Sequence, residues 1–369
     1  MKEQLAERLL ARVMNWDAED VAAERPILQA MAAYKYDEYQ QFYPGMRFLE
    51  SLALWLSDLT DPAHKKEAYQ FVRKRLIFFS NAEIQHLVSI AYPDFIRLRI
   101  LRRAAEGIGL NPYYLGQVAA STAFSVFQRS CLFLGLSDGA RTDFFRRCNE
   151  EAISHEQILQ SYEITEDRVG KLLKKLREDL IKIDVQLPNA ATAQFSTVVL
   201  LDDFSASGTS YLRSNADGGI KGKIHEFSRD ILNVESAVAK LVDPLNTRII
   251  LLLYIATEQA VSYLTEILTR FWAPSNIQFE IVVVHLLTSA IRIQPGDPLE
   301  PILEHYYDKQ ALEDEHTSQG GQGVKFGYAG CGLPVVLSHN TPNNSIYPLW
   351  ARPPKLRALF PRVSRHKEL

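Results

Sequence analysis

The stretch 196–213, STVVLLDDFSASGTSYLR, concentrates side chains that could do chemistry. An apolar run from Val198 to Leu201 is followed by two adjacent carboxylates, Asp202 and Asp203, and then by a loop of small residues. The pattern predicts a strand, a loop and the start of a helix. Backbone N–H groups of such a loop converge on one point, where they can bind an anion. The hydroxyl groups that add donors belong to Ser205, Ser207, Thr209 and Ser210.

An ordinary Ser-rich surface turn is the alternative interpretation of this stretch. Two carboxylates that end a buried strand are costly without a ligand or hydrogen-bonding partners, which favours a binding site. Gly208 supports the same view because a glycine lets the backbone approach a ligand closely.

The bulk composition narrows the class of protein. A chain of 369 residues with 47 % hydrophobic residues predicts two domains, or one domain with a large appendage. The net charge of −3 disfavours binding of nucleic acid through bulk charge. Three widely spaced cysteines, Cys131, Cys148 and Cys331, form no disulfide framework and predict a reducing, cytoplasmic location. No segment reaches the roughly 18 apolar residues of a membrane span, so we expect no membrane association.

Residues 1–125 show helical periodicity and predict an all-helical N-terminal domain. Ser80 and Glu83 have the spacing of a capping box at the start of a helix. The two helices of 65–88 would suit a plain bundle or a helix-turn-helix or winged-helix element. Basic residues in this half would form a solvated face or contact nucleic acid or a partner protein, and they are Arg73, Lys74, Arg75, Arg97, Arg99, Arg102 and Arg103.

Residues 126–351 alternate strand-like and helix-like segments, which predicts an α/β domain with a mainly parallel sheet and flanking helices. Ligands of such sheets bind beyond the carboxyl ends of the strands. A second strand, Cys131–Leu136, enters the loop 137–141 there, and the apolar strand 333–337 enters the polar loop 338–344. We therefore expect these two loops to share a cleft with the loop 206–210.

Two further segments leave alternatives open. Residues 215–227 carry Lys221 and Lys223 and would form either a mobile loop that closes over a charged substrate or a surface hairpin. Residues 352–369 form a basic, proline-broken tail that would dock on a partner or be disordered.

The run VVLLDDFSASGTS resembles the phosphoribosyl-pyrophosphate (PRPP) signature of type I phosphoribosyltransferases, except that Phe204 and Ser205 stand where that family usually has aliphatic residues. The resemblance implies that Asp202 and Asp203 would hold the ribose hydroxyls. It implies a 5′-phosphate loop made of Ala206, Ser207, Gly208, Thr209 and Ser210. It also implies a pyrophosphate loop made of Ser137, Asp138, Gly139, Ala140 and Arg141, in which Gly139 would allow an unusual backbone angle and Arg141 would pair with pyrophosphate oxygens.

The segments GLSDGAR, LLDDFSASGTS and HNTPNNSIYPLW, in this order after a helical region, look like the phosphoribosyltransferase-like (PRTase-CE type) effectors of bacterial conflict systems, which include retron-associated members. The resemblance implies a PRPP or nucleotide ligand, Mg²⁺, a toxic or antiviral defence role, and a reverse-transcriptase or other defence protein as partner. Polar side chains of the last loop would recognise a base or ribose, and they are His339, Asn340, Thr341, Asn343 and Asn344.

Three functions fit these features. The first is an enzyme of the glycosyltransferase class, which moves or cleaves a ribosyl group. The second is a ligand sensor without turnover, favoured by the unusual Phe204 and Ser205. The third is a regulator that binds DNA through residues 65–110.

Overall fold

The computed structural model of the chain describes residues 3–161, 164–214, 219–242, 246–275, 277–313, 320, 323–351 and 354–363. Its strands are β1 Ile77–Phe79, β2 Cys131–Gly135, β3 Ile158–Gln160, β4 Thr197–Ser205, β5 Arg213–Ser214, β6 Ile220–Lys221, β7 Arg248–Thr257, β8 Gln278–Leu287 and β9 Val335–Leu337. Its α-helices are α1 Glu3–Met14, α2 Ala18–Tyr34, α3 Phe48–Asp58, α4 Pro62–Lys74, α5 Asn81–Ile90, α6 Arg97–Gly107, α7 Leu115–Ala119, α8 Thr122–Arg129, α9 Thr142–Cys148, α10 Glu166–Ile183, α11 Lys223–Leu232, α12 Ala237–Leu241, α13 Glu258–Trp272, α14 Glu300–His305, α15 Lys309–Leu312 and α16 Tyr347–Trp350.

A five-stranded parallel sheet organises the middle of the chain, in the order β3-β2-β4-β7-β8. The inner strands β2, β4 and β7 are apolar runs that are buried along almost their whole length, as strands covered on both faces must be. Apolar side chains of α10, α11 and α13 complete the same core. The predicted α/β class, with a mainly parallel sheet, flanking helices and a helical N-terminal region, is confirmed.

The chain divides into two compact units. Unit 2 is the continuous segment 85–287, which contains the five-stranded sheet. Unit 1 combines residues 1–84 with residues 288–369. These boundaries differ from the predicted domains 1–125, 126–351 and 352–369, because the C-terminal segment returns to share one hydrophobic core with the N-terminal helices.

Unit 1 contains a small parallel sheet of its own, in which β9 pairs with β1. The strand predicted at 333–337 therefore belongs to this two-stranded sheet, and the expectation that it joins the main sheet is wrong. The strand β1 also separates α4 from α5, where a short turn between two helices was expected. The capping box before α5 is confirmed, because Ser80 Oγ accepts from the Glu83 N–H at 3.0 Å and Glu83 accepts from the Ser80 N–H at 2.8 Å.

The described part of the C-terminal tail is packed rather than disordered. Leu356, Ala358, Leu359 and Phe360 are buried in the core of unit 1. The ring of Phe360 lies with its centroid within 5.9 Å of five other aromatic rings, those of Tyr36, Tyr39, Phe42, Phe48 and Phe78. The tail is thus part of the fold of unit 1. Residues 352–353 and 364–369 of the predicted tail lie outside the described residues.

We predict that Phe360→Ala lowers the free energy of unfolding by about 3–5 kcal/mol, because it removes a large ring from a filled core. Urea and thermal denaturation measure the loss. The control is Val363→Ala three residues away, where the side chain is 50 % exposed and the expected change is below about 0.5 kcal/mol. Equal effects of the two substitutions would contradict the packed position of the tail.

Candidate functional site

The buried carboxylate of Asp202 is the centre of the candidate site in unit 2. Asp202 has no exposed surface and pairs with Leu253 across the ladder between β4 and β7. Three side chains donate hydrogen bonds to it: Ser137 Oγ to Oδ1 at 2.5 Å, Tyr211 Oη to Oδ2 at 2.7 Å and Lys223 Nζ to Oδ2 at 2.5 Å. The carboxylate therefore ties the loop after β2 to the segment after β4.

Opposing effects act on the charge of Asp202. Burial raises its pKa most strongly, and the negative charge of Asp203 raises it further, whereas the Lys223 ammonium and the Ser137 hydroxyl lower it. The resulting pKa lies above that of an ordinary aspartate. Burial and the two carboxylates also raise the pKa of Tyr211 well above its usual value, so its phenol keeps its proton and stays a donor.

Asp203 differs from its neighbour in exposure. Its side chain is partly exposed, as expected for the next residue of a strand, whose side chain points to the other face. Strand β4 continues through Ser205, so the backbone does not turn between the two acids. Of the two predicted ribose ligands, Asp203 is the more exposed.

The predicted pyrophosphate loop 137–141 lies against Asp203. A Cβ atom on Gly139 would come within 2.4–2.7 Å of the Asp203 carboxylate, so a larger residue there would force that carboxylate to move. The reason expected for this glycine is wrong, because the left-handed backbone angle belongs to Arg141, with φ of 48°. Tyr254 Oη donates to the Ala140 carbonyl at 2.8 Å and anchors the loop to β7. The structure thus brings Ser137 and Gly139 together with the two aspartates.

The predicted phosphate loop 206–210 packs against the end of β7 and the first turns of α13. Thr257 Oγ1 donates to the Ala206 carbonyl at 2.5 Å. Gly208 has φ of +79°, and a Cβ there would lie 2.8 Å from the ring of Tyr263. The hydroxyls of Ser207 and Thr209 are 2.9 Å apart. The loop is therefore fixed in shape, with Ser210 exposed at its end.

Several backbone N–H groups of the loop 206–210 are available to bind a ligand. Within the described residues, the N–H groups of Ser207, Gly208 and Ser210 make no hydrogen bond to a protein acceptor. Ser207 and Gly208 are nevertheless buried, and buried N–H groups normally have partners. Three such donors in one short loop are a suitable set for the oxygens of a phosphate.

The segment after the loop corrects one expectation. No helix begins directly after Ser210; instead β5 and β6 form a short antiparallel hairpin, and α11 starts at Lys223. The phosphate loop therefore lacks the expected helix N-terminus, and its N–H groups must act through the loop alone. Of the two lysines, Lys221 is exposed on the hairpin, whereas Lys223 is paired with Asp202. Residues 215–218 of the predicted mobile loop lie outside the described residues.

The third predicted loop, 338–344, belongs to unit 1 and makes hydrogen bonds within it. Thr341 is buried, and its hydroxyl donates to the Phe360 carbonyl at 3.0 Å. Asn344 Nδ2 donates to the Tyr328 carbonyl at 3.1 Å. The His339 carbonyl accepts from Gln41 Nε2 and the Asn343 carbonyl accepts from the Tyr328 N–H, whereas Asn340 Nδ2 donates to the Val363 carbonyl. These bonds give the loop a role in unit 1, and its predicted share in a ligand site stays a prediction.

Two tyrosines of the site were not predicted from the sequence. Tyr211 stands inside the motif 196–213, and Tyr254 is the one polar side chain within the apolar run 249–256. A phenol in a buried strand needs a hydrogen-bond partner. This requirement could have indicated that Tyr254 contacts a polar group near the site. The partner of Lys223 had no comparable signal, because 21 residues separate it from Asp202.

The comparison with protein families agrees with this geometry. The family model PRTase-CE matches residues 53–362, which is more than half of the chain. The chain belongs to the PRTase-CE family. This phosphoribosyltransferase-like family assignment spans both loops of the candidate site. No curated protein and no solved structure matches the chain significantly.

Among the described residues, no helix has both the length and the apolar composition that crossing a bilayer requires.

We predict that Lys223→Met destabilises the protein by about 2–4 kcal/mol at pH 8, because it leaves a buried carboxylate without its cation. The substitution removes an effect that lowers the pKa of Asp202, so this pKa rises further. The variant can then relieve the buried charge by binding a proton at lower pH, and the loss should be smaller at pH 5.5 than at pH 8.

Chemical denaturation at the two pH values measures this difference. Lys221→Met is the matched control, because that lysine is exposed on the hairpin, and it should change stability little at either pH. A loss that is independent of pH would show that the charge of Asp202 is not what Lys223 stabilises.

Proposed function

We propose that unit 2 binds PRPP, or a ligand with the same ribose phosphate core, at the carboxyl ends of β2 and β4. The observation that carries the proposal is the contact between the two strand-end elements: the loop 137–141 approaches Asp203 so closely that a side chain at Gly139 would displace the Asp203 carboxylate. The membership of the PRTase-CE family supports it.

Each element has a role in the proposal. The open N–H groups of the loop 206–210 would bind the 5′-phosphate, and Asp203 would accept from the ribose hydroxyls. Arg141 would pair with the diphosphate in a bidentate manner. Asp202 would act as a positioning residue, since its oxygens already accept from Ser137, Tyr211 and Lys223.

The metal ion expected for such a ligand is Mg²⁺. No group of three or more His, Cys, Asp and Glu side chains in the described part of the chain could hold a metal by itself. Mg²⁺ often binds through substrate phosphates together with one or two carboxylates, and Asp138 and Asp203 suit that donor set. When bound, the ion would neutralise charge on the diphosphate.

A transfer reaction follows if an acceptor is present. The bond between the anomeric carbon and the diphosphate oxygen would break, diphosphate would leave with the electron pair, and a nucleophile of the acceptor would form the new bond. The protein would supply positioning and charge stabilisation rather than a nucleophile of its own. Ligand sensing without turnover is the second candidate function, favoured by the burial of Asp202 and its pairing with Lys223.

We predict that Asp203→Asn weakens PRPP binding at least about tenfold, because an amide replaces the charged acceptor of the ribose hydroxyls. Isothermal titration calorimetry with PRPP and Mg²⁺ measures the affinity. Asp167→Asn is the control, since that exposed aspartate pairs with Lys171 one helical turn away. Unchanged affinity in Asp203→Asn, or no binding to the unsubstituted protein, would refute the proposed site.

Release of diphosphate separates the two candidate functions. Turnover of PRPP with a nucleobase, nucleotide or protein acceptor would support transfer, whereas tight binding without diphosphate release over hours would support sensing.

The biological role that we infer is defence of a bacterium against phage, with a reverse-transcriptase or other defence protein as partner. This role rests on the resemblance of the three motifs to effectors of conflict systems. Plaque counts on cells that carry the gene with its neighbouring genes should rise when Asp203→Asn is introduced. Equal protection by both forms would contradict a role for the PRPP site in defence.

A further inference from the structure

A second cavity lies in unit 2 at the opposite edge of the five-stranded sheet, where the strands begin. Its volume is about 370 Å³. Its floor includes Thr197, Arg248 and Gln278, which are adjacent in register on β4, β7 and β8. Thr197 is five residues before Asp202, and five residues of extended strand span about 16 Å. The cavity is therefore separate from the proposed PRPP site.

Positive charge is concentrated in this cavity. Four arginines line it, Arg99, Arg102, Arg103 and Arg248, against two carboxylates, Glu106 and Glu280. Arg99 is neutralised by Glu280, to which its Nε donates at 2.8 Å. Within the described part of the chain, Arg102 and Arg248 make no ion pair. The chain as a whole carries a net charge of −3, so this local excess runs against its composition.

Arg103 is held in a fixed position. Its Nη1 donates to the Ser196 carbonyl at 3.0 Å and to Thr197 Oγ1 at 2.7 Å. Its guanidinium carbon lies 4.5 Å from the centre of the Phe127 ring. A guanidinium that is oriented in this way loses little freedom when it binds a planar anion.

Arg103 and Arg248 repel each other. Burial lowers the pKa of Arg103, and the charge of Arg248 lowers it further. Arginine keeps its charge in proteins, so the repulsion remains and is offset only in part by the Glu106 carboxylate. An anion between the two guanidinium groups would reduce it further.

We propose that this cavity binds a small phosphate-bearing molecule of the nucleoside phosphate class, with its phosphate between Arg103 and Arg248. Ile100 and Phe279 supply an apolar wall for the base or sugar. The volume lies within the range of small-molecule pockets, roughly 300–1,000 Å³. A nucleic-acid duplex would need a row of exposed cations, whereas Arg99 and Arg103 are already engaged in protein contacts.

The test is titration of the full chain with AMP and ADP, with inorganic phosphate and a single-stranded oligonucleotide as comparison ligands. We expect AMP or ADP to bind, and we expect Arg248→Gln to weaken this binding at least tenfold. Arg248 is exposed and makes no ion pair among the described residues, so this variant should fold. Arg97→Gln on the same helix as Arg103 is the control and should bind normally, because Arg97 does not line the cavity.

Arg103→Gln should weaken binding as well, and its melting temperature shows whether any loss comes from unfolding. Asp203→Asn should leave AMP and ADP binding at this cavity intact, which separates it from the PRPP site. The proposal is overturned if neither nucleotide binds, if Arg248→Gln binds them normally, or if Asp203→Asn abolishes the binding. Binding of the oligonucleotide alone would overturn it in favour of a nucleic-acid surface.

Discussion

A single buried carboxylate imposes the strongest constraint on the structure of unit 2. Removing the charge of Asp202 from water is costly, and only directed hydrogen bonds and an opposite charge reduce that cost. Ser137, Tyr211 and Lys223 meet the requirement from three different segments. The arrangement therefore determines where the loop after β2, the turn after β4 and the start of α11 can lie. The relative positions of these three segments in the candidate site therefore depend on Asp202.

The five-stranded sheet gives that constraint a rigid base. Its inner strands are buried, and their parallel register places the loops 137–141 and 206–210 at the same edge. Glycine occurs at two points where these loops approach other groups closely, Gly139 against Asp203 and Gly208 against Tyr263. The geometry of the site thus depends on small residues as much as on charged ones.

Local features of the fold could be predicted from the sequence because they depend on neighbouring residues. The apolar runs of β2, β4 and β7 indicated strands, and Ser80 with Glu83 indicated a helix start. The two aspartates and their loop could be recognised for the same reason. The different environments of Asp202 and Asp203 could not be predicted, because they depend on burial and on Lys223, which belongs to a later helix.

Long-range pairing was the main source of error. Strand β9 has the apolar character of a sheet strand, but its partner is β1, which lies in the first quarter of the chain. The tail 352–369 has a basic composition that gave no indication of the buried Phe360. The pairing of distant segments depends on how well their whole surfaces fit together. The hydrophobic periodicity of one segment does not show which segment it will pack against.

The divided sequence of unit 1 has a consequence for the order of folding during synthesis. Unit 2 is one continuous segment, so all of its strands have been made before the second half of unit 1 exists. The helices of residues 3–74 emerge first but must wait for Phe360 to fill their core. Nascent chains usually fold from the N-terminus onward. Here the first helices made are among the last to be completed, and their apolar faces are the surfaces that a ribosome-associated chaperone would have to protect.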